Sequence, residues 1–161
     1  MVVAVAGAGF LPASVGALDR QQTACRASAV HYRTVKQTPR GVAGVPWVAS
    51  TNRAFRGYLF YWGGTRWAHT RPATVQIFTT KAHININPKV LWVALQHSGA
   101  ALTIQGRRLD GSGSFSANYP AAIGGGQFPS YVSVPTAGCW RVSVRSRDLH
   151  GWMTFRATDT P

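Results

Sequence analysis

The chain has 161 residues, 45% of them apolar and 11% aromatic, a size and composition that fit one packed domain and exclude a disordered polymer. Only 13% are charged, and 17 Lys and Arg face four acids, Asp19, Asp110, Asp148 and Asp159, for a net charge of +13 with no Glu. That imbalance favours encounter with polyanions, and with no Glu and with Asp19 and Asp159 in the flanks of the chain it speaks against the two positioned carboxylates that a glycosidase uses.

Residues 1–17 are uncharged, small and apolar and end in Val15-Gly16-Ala17, as a signal peptide with a small-residue cleavage site does. No Lys or Arg precedes the apolar stretch, a departure from the usual pattern. Gly7, Gly9 and Pro12 interrupt it, and it falls short of the roughly 20 apolar residues of a membrane span. No later segment is long enough either, so the sequence predicts an exported chain, secreted or in the cell envelope, without a transmembrane span.

Cys25 follows soon after, and the second cysteine, Cys139, lies near the C-terminus. In an oxidising compartment the simplest expectation is one bridge between them. A lipid-modified Cys25 is disfavoured because Gln22 stands where a lipobox carries Leu. Residues 18–53 are polar and basic and are punctuated by Pro39, Gly41, Gly44 and Pro46. With no sustained apolar period, they read as an extended lead-in segment that wraps the domain.

From residue 54 to 161 short apolar runs alternate with Gly, Pro, Asn and Ser, the texture of an all-β protein. The predicted strands are 55–62, 73–80, 89–95, 101–106, 113–119, 129–134, 139–146 and 151–158, and no segment has a useful helical period. The fold class is an antiparallel β-sandwich, Ig-like or jelly-roll-like, with the N-terminal segment added. Tyr58, Tyr61, Trp62 and Trp67 gather around the turn Gly63-Gly64-Thr65, with His69 and Arg71 as polar neighbours. Exposed rings there would form a platform for sugar faces or bases; core packing is the commoner use of aromatics in a small sandwich.

The run Val90-Leu-Trp-Val-Ala-Leu95 suits a strand covered on both faces. Residues 106–128 are rich in Gly and Ser and read as loop around one short strand. In 139–146, alternation points Trp140, Val142 and Val144 inward and Cys139, Arg141, Ser143 and Arg145 outward. In 151–158 it points Met153, Phe155 and Ala157 inward and Trp152, Thr154 and Arg156 outward. A hairpin of these two strands carries Arg141, Arg145 and Arg156 beside Trp152 on its outer face, where a Cys25–Cys139 bridge would tie down the lead-in.

The five His, at 31, 69, 83, 97 and 150, show no metal-binding spacing. Gly111-Ser-Gly-Ser114 lacks the strand-to-helix elbow of a serine nucleophile, and Gly124-Gly-Gly126 is followed by no Lys-Ser/Thr of a phosphate loop. The sequence therefore presents no catalytic set, no metal set and no requirement for a cofactor.

Gly106-Arg-Arg-Leu-Asp110, Phe128-Pro-Ser130 and Pro135-Thr-Ala-Gly-Cys-Trp140 together form a GRRLD, PS, PTxGCW pattern. It resembles a family of uncharacterised bacterial secreted proteins and lipoproteins, many with an early Cys comparable to Cys25. The resemblance implies an exported β-sandwich-like domain and brings no activity. In this pattern Asp110 is expected to bind turn backbone or Arg108.

Taken together, these features favour a non-catalytic exported module binding an acidic polymer or a glycan of the envelope. Nucleic acid is disfavoured because the arginines form no dense run. The competing reading is a small secreted hydrolase or inhibitor-like domain acting through loops near 63–72 and 106–128. Nothing in the sequence defines an oligomeric state.

Overall fold

The computed structural model describes residues 25–160 apart from 34, 36–37, 64, 82–87, 97–98 and 121–125. The expected signal peptide at 1–17, His83, His97 and Gly124-Gly125 lie outside the described residues. Among the described residues ten strands make two five-stranded sheets packed as a sandwich. In chain order they are β1 (Val30–His31), β2 (Trp47–Ala49), β3 (Phe55–Leu59), β4 (Gln76–Phe78) and β5 (Lys89–Ala94). Then follow β6 (Leu102–Arg108), β7 (Ser114–Tyr119), β8 (Gln127–Tyr131), β9 (Gly138–Ser146) and β10 (Leu149–Thr158).

Sheet I runs β1-β2-β3-β5-β8 and sheet II runs β4-β10-β9-β6-β7. Pairing is antiparallel throughout except between β4 and β10, which are parallel. The two inner faces interdigitate as the period-2 alternation requires. Val48, Phe55, Leu59, Val90, Trp92 and Phe128 of sheet I meet Ile104, Trp140, Val142, Val144, Met153 and Phe155 of sheet II in one buried cluster. Gly57 opens space for Trp92: a Cβ at that position would lie 2.7 Å from the indole.

β5 is covered on both faces. Val90 and Trp92 face the main core, while Leu91 and Val93 join Tyr58 and Val42 in a smaller cluster outside sheet I. Val42 comes from the loop ahead of β2, so part of the lead-in segment lies over this sheet.

The same segment also supplies backbone pairing. Beyond β1 and β2, Ser28 N–H donates to Thr154 O at 2.8 Å, and Thr51 N–H donates to Trp152 O at 3.0 Å. With β4 paired to Arg156, Ala157 and Thr158, three separate pieces of chain cover the free side of β10. An uncovered strand edge invites pairing with other chains, and here that edge is occupied. The chain has a Cys25–Cys139 disulfide, with Cα atoms 5.5 Å apart. No helix among the described residues is long and apolar enough to cross a membrane.

The tract at 60–70 departs from the expected strand and exposed turn. Residues Phe60–Trp62 form a 3-10 turn, and Arg66–Thr70 form a short helix, α1. The Thr65 hydroxyl caps α1 by accepting from Trp67 N–H at 3.3 Å. Arg71 ends it in the left-handed region at φ 46°.

Candidate functional site

The aromatic group around that turn is interior. Tyr58, Tyr61, Trp62 and Trp67 are 1%, 4%, 1% and 2% exposed, so they do not form the solvent-facing platform expected from the sequence. Tyr58 is covered on the outside of sheet I beside Val42, Leu91 and Val93, and two local devices turn the other three rings inward. The 3-10 turn breaks strand alternation after Leu59, and the capped helix places Trp67 against Phe78, with ring centroids 4.5 Å apart and planes 11° apart. Tyr61 O–H donates to Gln76 O at 2.6 Å, and burial pushes its phenol pKa far above the usual range. His69 is exposed, and the Arg71 guanidinium lies over the Tyr32 ring at 4.7 Å. Neither borders a stacking surface made by those four rings.

The C-terminal hairpin places its side chains as alternation requires. β9 and β10 pair with Leu149 opposite Ser146, leaving a two-residue turn, Arg147-Asp148. Trp140, Val142 and Val144 point into the core, and Arg141, Arg145, Trp152 and Arg156 stand on the opposite face. The Arg141 guanidinium sits over the Trp152 ring, 4.4 Å from its centroid, a cation–π contact in which the indole remains 38% exposed.

The ladder adds residues that sequence reading left out. β6 pairs with β9 so that Arg107 is directly opposite Arg141, Gln105 opposite Ser143 and Thr103 opposite Arg145. β7 then brings Ser114 opposite Arg107 and Ser116 opposite Gln105. The face thus reads across four strands as rows: Ser114-Arg107-Arg141-Thr154, then Ser116-Gln105-Ser143-Trp152. A depression of about 480 Å³ is lined by Arg107, Arg141, Gln105, Ser114, Ser116 and Ser143.

No acidic side chain stands on β6, β7, β9 or β10. Asp110, just after β6, is engaged elsewhere: Oδ1 accepts from Arg108 Nε at 2.8 Å and Oδ2 from Cys139 N–H at 2.9 Å. Asp159 Oδ1 accepts from Thr79 Oγ1. Like charges directly opposite across a ladder destabilise it, so the Arg107–Arg141 pair carries a cost that an anion bound between them would remove.

The GRRLD and PTxGCW residues meet at one end of this sheet. Leu109 N–H donates to Cys139 O at 2.7 Å, Arg108 Nη1 to Thr136 Oγ1 at 3.3 Å, and Trp140 Nε1 to Thr136 O at 2.9 Å. Gly138 has φ 140°, and a Cβ there would sit 2.7 Å from Asp110 Oδ1. The motif is a hydrogen-bonded junction beside the disulfide, which gives it a structural reason. Among the described residues no three His, Cys, Asp or Glu side chains gather to hold a metal.

The protein is a disulfide-bonded β-sandwich with one basic, acid-free sheet face. No family model, curated protein or solved structure matches the chain.

Proposed function

We propose that the protein is an exported, non-catalytic binding module whose sheet II face holds an acidic polymer, of the kind found in cell envelopes. The observation that carries this reading is the direct opposition of Arg107 and Arg141, with Arg145 and Arg156 on the same face and no acid on its strands. Guanidinium groups match carboxylates and phosphates bidentately. The Ser, Thr and Gln side chains between them supply hydrogen bonds to neutral oxygens, and Trp152 offers a partly exposed ring beside the charges. Rows of these side chains running across four strands suit a chain-like ligand laid over them.

The disulfide supports export, because such bridges persist in oxidising compartments.

The test is binding of fluorescent polygalacturonate and of polyphosphate to the disulfide-bonded protein, followed by anisotropy across salt concentration. Binding should weaken by about tenfold or more between about 50 and 200 mM salt, as counterion release requires. Joint substitution of Arg107, Arg141, Arg145 and Arg156 by Gln should remove most of it, and neutral dextran should not bind. Binding that ignores both salt and the four substitutions would overturn the proposal.

A further inference from the structure

A second concavity lies on the other side of the molecule, on the outer face of sheet I. It has a volume of about 270 Å³ and is lined by His31, Trp47, Ala49, Arg53, Arg56 and Leu95. We infer that it is a binding site for a small organic acid, a single carboxylate on a compact apolar body. The inference is independent of the polymer-binding face, with which it shares no residue.

The chemistry of the lining divides in two. Trp47, Ala49 and Leu95 provide an apolar wall; Arg53, Arg56 and His31 provide donors, and no acid is present. The volume is below the roughly 300–1,000 Å³ of pockets for drug-sized ligands, so only a compact molecule fits. A bare inorganic anion would leave the apolar wall without a partner, and a neutral molecule would leave the guanidinium groups without one.

Arg56 gives the sharpest indication. Its Nη1 is buried and has no hydrogen-bond acceptor among the described residues, whereas buried donors in folded proteins are nearly always paired. A carboxylate accepts two parallel N–H bonds from a guanidinium, so a bound acid satisfies this group.

The site is also held in place before any ligand arrives. Trp47 Nε1 donates to Arg33 O at 3.0 Å. The His31 ring stacks on Trp47 with centroids 4.2 Å apart and planes 25° apart, and Arg56 Cζ lies 5.1 Å from the indole centroid. β1 and β3 flank β2, so imidazole and guanidinium approach the indole from the two sides of its strand. Such fixing lowers the ordering cost of binding. Arg53 ends the turn from Ser50, its N–H donating to Ser50 O at 2.8 Å. Its φ of 59° is a backbone state that favours glycine, and the turn carries a cation to the recess instead.

The experiment is titration of the intact, disulfide-bonded protein with benzoate, with benzyl alcohol as its neutral counterpart and inorganic phosphate as the bare anion. The indole N–H signal of Trp47, assigned by comparison with Trp47→Phe, is followed by NMR. Benzoate should shift that signal saturably. Arg56→Met should weaken the effect at least about tenfold, the scale of one lost charge-assisted pair, and Arg56→Lys should recover part of it. Arg53→Ser, at an exposed position, tests the same recess without touching a buried group and should weaken binding several-fold, while Arg141→Met should leave it unchanged. No saturable shift with benzoate overturns the inference. So does equal binding of benzyl alcohol or phosphate, or benzoate binding that survives both Arg56→Met and Arg53→Ser.

Discussion

Asp110 reaches across from the end of β6 to the backbone of Cys139, its Oδ2 accepting that N–H at 2.9 Å while its Oδ1 holds Arg108 Nε at 2.8 Å. One carboxylate therefore fastens the β6–β7 turn to the strand that carries the disulfide. Burial alone would push its pKa up, but the bonds from Arg108 and from Cys139 N–H outweigh it and hold the carboxyl below its ordinary value. A depressed folded-state pKa adds stability above the unfolded-state value of about 3.9, and that contribution disappears as pH falls through the folded pKa. Asp110→Ala should cost about 1.5–3 kcal/mol at neutral pH, the usual worth of hydrogen bonds to a charged group. Urea denaturation of both proteins from pH 7 down to about pH 2 should show the difference shrinking on the acid side.

The disulfide closes a separation of 114 residues, and in the chain-entropy model a loop of that order is worth up to about 4.7 kcal/mol. Reduction should lower stability by about 2–4 kcal/mol, measured by denaturation with and without dithiothreitol. The smaller figure allows for the backbone pairing of Ser28 with Thr154, which still holds the lead-in near β10. Retention of full stability on reduction would count against a structural role for the bridge.

Arg107→Gln separates binding from stability. It removes one member of the like-charged pair opposite Arg141, so the unliganded protein should gain about 0.2–1 kcal/mol. Binding to polyuronate should weaken at the same time. Thermal melts with and without the polymer report both effects, because a ligand that prefers the folded state raises the melting temperature. A variant that loses stability and keeps its binding would show that the pair is structural.

The β9–β10 turn contains a position where glycine fits better than the residue present. Arg147 has φ 52°, in the left-handed region that costs a side-chain-bearing residue about 1–2 kcal/mol. Set against the chain entropy that glycine loses on folding, Arg147→Gly should stabilise by about 0.5–1 kcal/mol. The gain should appear in chemical denaturation.

Each of the eight strands from residue 55 onward was legible because alternation or a continuous apolar run marks it. The hairpin of β9 and β10 was the clearest case, with Trp140, Val142 and Val144 set against Arg141, Ser143 and Arg145. β1 and β2 were not legible. They are two and three residues long, too short to show a period. The three residues Phe60–Trp62, expected to continue the strand, form a 3-10 turn instead, because large side chains at every position from Tyr58 to Trp62 hide where the strand ends. Arg107 joined the basic face only through the register of β6 on β9. That is a non-local pairing, and local pattern does not contain it. The recess at Trp47 depends on the same kind of information, since it brings together β1, β2, β3 and Leu95.

The position of the two half-cystines has a consequence for how the chain matures. In any N-to-C process, whether synthesis or translocation, Cys25 emerges 114 residues ahead of its partner. During that interval the thiol is unprotected. Because these 161 residues hold only two cysteines, no incorrect pairing exists among them. The errors open to this domain are mixed disulfides with other thiols and covalent dimers, so its oxidation needs no reshuffling between its own cysteines.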